Sequence, residues 1–214
     1  MTEINSQLDA IMEGIRANFA AKNKARETGL AACREALRHS ANAIRAVHRC
    51  DFGAGEELIG KAGELLKQAA AALAGHPDIF HAGFVHDSQK EFAEASLTLA
   101  LVAGRPLPTP QSLGVQQAAY LNGLGEAVGE LRRHLLDSLR SGDIEHCEDC
   151  LTAMDEIYSV LVTMDYPDAM TGGLRRTTDN VRGILERTRG DLTLAVRQRD
   201  LERKLGEFEG KLSS

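Results

Sequence analysis

Apolar residues recur every three or four positions along almost the whole of this 214-residue chain, and nowhere do they alternate as a strand would require. Ile4, Leu8, Ile11, Ile15 and Phe19 begin the rhythm, and Leu30, Cys33, Leu37, Ala41, Ile44 and Val47 carry it to about Arg49. A long first helix is expected there, with Gly29 as its candidate break. Asp51-Phe-Gly-Ala-Gly55 ends it, and a second helix follows from Glu56 to Ala74, closed by Gly75-His-Pro77. The third runs from Asp78, read as its N-cap, to Ala103. Three prolines between Gly104 and Ser112 exclude a continuous helix there. A fourth helix covers Leu113 to Arg140, Ser141-Gly-Asp143 breaks and recaps the chain, and a fifth runs from Ile144 to Met164. Tyr166-Pro167 and Gly172-Gly173 precede a sixth, from Leu174 towards Leu205. With no repeat and no linker, residues 1–214 read as one all-α domain, an antiparallel bundle of about six to seven helices.

Composition narrows the function classes. A chain that is 43% hydrophobic and 26% charged has ample material for a core, which excludes wholesale disorder. Its net charge of −6 excludes a uniformly basic nucleic-acid binder, although not a local basic face. No apolar run approaches the roughly 18–20 residues of a membrane span. The segment MTEINSQLDA lacks the basic flank and apolar block of a secretion signal, so a cytoplasmic location is expected. The four cysteines then read as free thiols. Cys147-Glu-Asp-Cys150, beside His146, is a single CxxC pair without a second and reads as small side chains on a helix rather than a zinc site.

Chemistry concentrates in two acidic helices. In the third, Asp87, Glu91 and Glu94 fall at about 0°, 40° and −20° around the axis, on one stripe with Phe80, Phe84, Thr98, Leu101 and Val102. Carboxylates on such a face need a counter-charge. In the fourth, Glu126 and Glu130 lie one turn apart, with Gly125 and Gly129 leaving room for close approach. Antiparallel packing of these two helices would converge four or five carboxylates, whose repulsion a divalent cation relieves. Oxygen-only ligands suit Mg²⁺, with Mn²⁺ as the alternative. Spacing by itself fits surface acids in salt bridges as well as a metal site. His86 points about 100° away from Asp87 and receives no catalytic role.

A basic stripe accompanies them. Arg34, Arg38, Arg45 and Arg49 lie within about 60° of one another on the first helix, as a phosphate-tracking face would, or as a solvated face paired with Glu27 or Glu35. Tyr120 could stack on a base or serve packing.

The order of these segments resembles the translin family. Gly83-Phe-Val-His-Asp-Ser-Gln-Lys-Glu-Phe-Ala-Glu-Ala95 is similar to the family's glutamate-bearing helix, and Tyr120-Leu-Asn-Gly-Leu-Gly-Glu-Ala-Val-Gly-Glu-Leu-Arg132 to its second acidic helix. Ser40-Ala-Asn-Ala-Ile-Arg-Ala-Val-His-Arg49, Gly142-Asp-Ile144 and Ile157-Tyr158 also follow the pattern, so the likeness spans Phe19 to Leu205. It is nearest the translin-associated factor X branch, including archaeal members. The resemblance implies a Mg²⁺-dependent endoribonuclease acting on single-stranded RNA. Glu91, Glu94, Glu126 and Glu130 would be its catalytic, metal-holding residues, and Asp87 an additional ligand on the same stripe. It also implies a homo-oligomer, in this family a hollow octamer. The alternative is a noncatalytic binder of single-stranded RNA or DNA resembling translin itself. A ferritin-like di-metal protein is disfavoured, because paired E-x-x-H ligands are absent from these helices.

Overall fold

The computed structural model describes residues 2–212. Among the described residues the regular structure is entirely helical. In chain order the helices are α1 (Thr2–His48), α2 (Phe52–Leu73), α3 (Pro77–Phe80), α4 (Gly83–Val102), α5 (Pro110–Leu113), α6 (Gln117–Ser141), α7 (Ile144–Leu161), α8 (Asp168–Thr171) and α9 (Leu174–Leu212). Six are long, and three are single turns, so the all-α expectation holds and its count matches the long helices.

The boundaries follow local chemistry. Asp51 caps α2 by accepting from the Ala54 backbone N–H, starting that helix earlier than expected. Gly142, at φ 81°, ends α6, and Asp143 caps α7 by accepting from the His146 N–H, as the Ser-Gly-Asp segment implied. Three expectations are corrected. Gly29 does not break α1; it lies mid-helix, where a Cβ would meet Leu73 at 2.9 Å, so its small size serves packing. Asp78 does not cap the third long helix: it sits inside α3, bonded to Lys22, and His81-Ala82 separates α3 from α4. The fourth long helix begins at Gln117 rather than Leu113, because Gly114 adopts φ 67° after one turn of α5.

Helix α4 occupies the middle of the molecule and is buried on every side from Phe92 to Ala100. On one flank Val85 and Phe92 join Cys33 and Ala36 of α1 and Ala62, Leu66 and Leu73 of α2. On the other, Ala93 and Leu97 join Val128, Leu131 and Leu135 of α6, Met154 and Leu161 of α7, and Leu185 of α9. Burial of each large aliphatic side chain contributes about 1.5–3 kcal/mol, so these two clusters hold the long helices together.

Consecutive long helices α1–α2 and α6–α7 pack antiparallel. α4 and α6, expected to do the same, run in the same direction. The Gln116 N–H donates to Gln89 Oε1, and farther along both helices Gly123 lies against Lys90, Ala93 and Glu94. The proline-containing segment after Val102 carries the chain back to the start of α4, which makes this parallel pairing possible.

Both ends of the chain extend past this packing. Ile4, Leu8, Ile11, Ile15 and Phe19 form the expected apolar stripe, yet they stay exposed, Phe19 at 64%. Leu194, Leu201, Leu205 and Phe208 of α9 are exposed as well. No helix among the described residues is long and apolar enough to cross a membrane.

Candidate metal centre

The contact between α4 and α6 is close because Gly123 has no side chain. A Cβ there would lie 2.7 Å from the Lys90 carbonyl oxygen and 2.9 Å from both Ala93 Cβ and the Glu94 nitrogen. Backbone therefore meets backbone, and the next turn of α6 brings Glu126 beside Glu91 and Glu94. Carboxylate oxygens of these three residues all lie within 4.8 Å of one another. On the far side Gly125 lets α9 approach, since a Cβ there would overlap Thr177. Glu91, Glu94, Gly125, Glu126, Thr177 and Asn180 line a pocket of about 410 Å³.

The electrostatics are those of crowded acids. Glu94 is only 8% exposed, and burial, reinforced by the charges of Glu126, Glu91 and Glu130, pushes its carboxyl up to about 8. Burial and the Glu126 charge also raise Glu91. Lys90 supplies the counter-charge the stripe required: its Nζ donates to Glu126 Oε1 at 2.6 Å and lies 3.7 Å from Glu91 Oε1. Burial works against the Lys90 ammonium, but the Glu126 hydrogen bond and the charges of Glu126, Glu91 and Asp87 outweigh it and hold its pKa above the ordinary value.

Not every expected residue joins the cluster. Glu130 stands one turn beyond and is bound by the His48 imidazole of α1, although its charge reaches Glu94. Asp87 is exposed and lines an adjoining pocket with His86, Lys90, Asn122, Glu126 and Arg176, its charge acting on Lys90 and Glu91. The Tyr120 hydroxyl donates to the Pro108 carbonyl at 2.8 Å, and the side chain is half-buried. All four stripe arginines are exposed. Arg38 pairs with Glu35, Arg45 donates to Asn42 Oδ1, and Glu27 binds Arg26 instead of the stripe.

Four participants went unread in the sequence. Lys90 falls at about −60° from Asp87 on the same helix and was available from the angular arithmetic. His48 of α1 and Thr177 and Asn180 of α9 carried no signal, because their approach depends on tertiary packing.

The Glu94 environment gives a first prediction, for protein held in chelator. The folded state binds the Glu94 proton more tightly than the unfolded chain, whose carboxyl titrates near 4.5. Stability from this group is therefore greatest at acid pH, falls as pH rises from about 4.5 to about 8, and is level above that. Thermal midpoints of wild type minus those of Glu94→Gln are expected to decline across that window. A difference that stays flat with pH would contradict the assignment.

No family model matches the chain. A protein of Methanocaldococcus jannaschii, described as uncharacterised, is 29% identical over 198 residues, covering 91% of this chain and 87% of that one. Among solved structures, AfC3PO in complex with duplex RNA aligns at a TM-score of 0.81 and 34% identity, across 88% of this chain and 97% of its own. AfC3PO alone gives 0.81 at 33% identity, with 88% and 98% covered. Apo-NeC3PO, at 18% identity and a TM-score of 0.77, shares the fold across 86% of this chain and 96% of its own. With sequence identity above 30% sustained over nearly the full length of a solved relative, and with the same helical fold, this chain belongs to the C3PO/translin family.

Proposed function

We propose that this protein is a metal-dependent ribonuclease whose active centre is the carboxylate cluster at the α4–α6 crossing. The observation that carries the reading is the convergence of Glu91, Glu94 and Glu126, with oxygens within 4.8 Å of one another. Surface acids spread apart; these are half-buried or buried, and burial, reinforced by the charges of Glu126, Glu91 and Glu130, raises Glu94 to about 8. Oxygen-only donors at that spacing fit a hard divalent cation, Mg²⁺ or Mn²⁺. When bound, such an ion supplies Lewis-acid polarisation of a phosphodiester and offsets charge that develops during hydrolysis.

The chain's own residues have distinct tasks. Glu91, Glu94 and Glu126 would hold the cation, with Glu94 in its ionised form. Glu130, anchored by His48, acts on the cluster from one turn away, and Asp87 from the adjoining pocket. Lys90 and Arg176 border the same recess and offer cations to phosphate oxygens. RNA as the ligand class is supported by the AfC3PO complex with duplex RNA. Single-stranded RNA remains our expected substrate. Self-association into a homo-oligomer, of the octameric size expected for this family, would bury the exposed apolar stripes of α1 and α9.

Cleavage of end-labelled single-stranded and duplex RNA, with Mg²⁺ and with chelator, tests this reading. Wild type is expected to cut only with the metal, and Glu91→Ala and Glu126→Ala to fail. Persistent cleavage by either variant would remove the cluster from the active centre.

The exposed arginine stripe on α1 is proposed to contact RNA phosphates. Each lost contact lowers the log–log salt slope of binding by about 0.7–0.9, so Arg38→Ala/Arg45→Ala is expected to shallow it by about 1.4–1.8. An unchanged slope and affinity in salt titrations would exclude the stripe from the interface. The Lys90–Glu126 ion pair also favours a second reading, in which the carboxylates serve structure and the protein binds RNA without cutting it.

A further inference from the structure

The described residues contain one other convergence of metal-ligating side chains, on the opposite half of α6. His134 of α6 and His146 and Cys150 of α7 place ligand atoms within 4.8 Å of one another. The Nε2 atoms of His134 and His146 are 2.8 Å apart, and the Cys150 Sγ lies 3.7 Å from His146 Nε2. A tetrahedral zinc ion with Zn–N near 2.0–2.1 Å and Zn–S near 2.3 Å separates its nitrogens by about 3.3 Å and nitrogen from sulfur by about 3.5 Å. The observed spacings differ from these by about half an ångström or less, which small rotations of the side chains absorb.

The local sequence builds this arrangement. His146 and Cys150 are four residues apart and so share one face of α7. Gly142 reverses the chain at φ 81°, and the Asp143 cap fixes the start of α7, which sets His134 of the preceding helix against that face. The two rings meet edge to face, at an interplanar angle of 88°. His146 Nε2 therefore faces both an imidazole nitrogen and a sulfur. Cys147 takes no part, because its Sγ donates to the Leu135 carbonyl at 3.4 Å. The cluster is therefore not the CxxC pair: His146 and Cys150, one turn apart on α7, meet His134 across the hairpin.

We propose that His134, His146 and Cys150 bind a borderline-soft divalent cation of the Zn²⁺ class, clipping α6 to α7. Two imidazoles and a thiolate disfavour Mg²⁺, so the site is chemically separate from the carboxylate cluster. Three protein ligands on partly exposed rings leave the fourth position to water. On binding, the Cys150 thiol passes its proton to solvent as the sulfur–metal bond forms, and no electron is transferred.

The test uses the full chain, stripped of metal and titrated with Co²⁺. Wild type is expected to develop a thiolate-to-cobalt charge-transfer band, saturating at one equivalent and abolished by Zn²⁺. Cys150→Ser is expected to lose the band. His134→Gln and His146→Gln are expected to weaken cobalt binding at least about tenfold. Cys50→Ser, which removes the one exposed thiol, and Glu91→Ala, in the acidic cluster, are expected to leave the band unchanged. Zn²⁺ should also raise the melting temperature of wild type but not of Cys150→Ser. No band in wild type, or a band that survives Cys150→Ser, overturns the site. Those readings do not involve RNA, so they stand or fall apart from the ribonuclease assignment. If Cys150→Ser does not fold by circular dichroism, the wild-type band and the two histidine variants decide the question.

Discussion

Gly123→Val is expected to destabilise the protein by about 1–3 kcal/mol, the cost of forcing extra atoms into a packed contact, and to weaken Mg²⁺ binding at the same time. Two of the three atoms nearest to the missing Cβ are backbone: the Lys90 oxygen at 2.7 Å and the Glu94 nitrogen at 2.9 Å. A flexible side chain could turn aside, but backbone yields only if α4 and α6 separate. Separation would draw Glu126 away from Glu91 and Glu94, so one substitution carries both effects. Gly60 provides the control. It lies within α2, and a Cβ there meets nothing within 4 Å. Gly60→Ala should therefore gain about 0.5–1 kcal/mol from helix propensity alone. Denaturant midpoints and calorimetric Mg²⁺ titrations of both variants check the contrast. A Gly123→Val protein as stable as wild type would mean that the helices do not meet at this distance.

Local signals made the long helices legible, and the same signals explain what was missed. Periodicity and breaker residues located the six long helices, and the Ser-Gly-Asp turn correctly separated α6 from α7. Gly29 was misread because glycine serves both helix ends and close packing, and only the position of Leu73 tells which. The direction of α6 relative to α4 was not legible either. Angular arithmetic puts residues on a face but carries no information about which way a neighbouring helix runs. Glu91, Glu94 and Glu126 still converge in a parallel pair, because they lie beside the crossing at Gly123 rather than far along either helix. Glu130 falls outside the cluster for the same reason, one turn beyond the crossing, where α1 presents His48. The approach of His134 to His146, and the turning of Cys147 to the Leu135 carbonyl, likewise depend on a hairpin geometry that spacing within α7 does not contain.

The largest kinetic effect is expected from Glu126→Ala, which should reduce Mg²⁺-dependent RNA cleavage at least about 100-fold, the scale seen when one electrostatic stabiliser of a transition state is removed. Glu126 is the one residue that α6 contributes to the triad, and it is also the partner of Lys90. Its loss could therefore act through the metal or through the ion pair. Lys90→Met separates these routes. If the carboxylates exist to hold a cation, the Lys90 ammonium competes with it for Glu126, and its removal should tighten Mg²⁺ binding while Glu126→Ala loosens it. If the cluster exists to hold Lys90, Lys90→Met should leave the buried acids uncompensated and lower the melting temperature, with no Mg²⁺ binding in wild type to be altered. Calorimetric titration of the three proteins, with RNA affinity measured in chelator, distinguishes the outcomes. RNA binding that survives Glu126→Ala while cleavage disappears would tie the carboxylate to the chemical step. Equal losses of both would assign it to the binding surface.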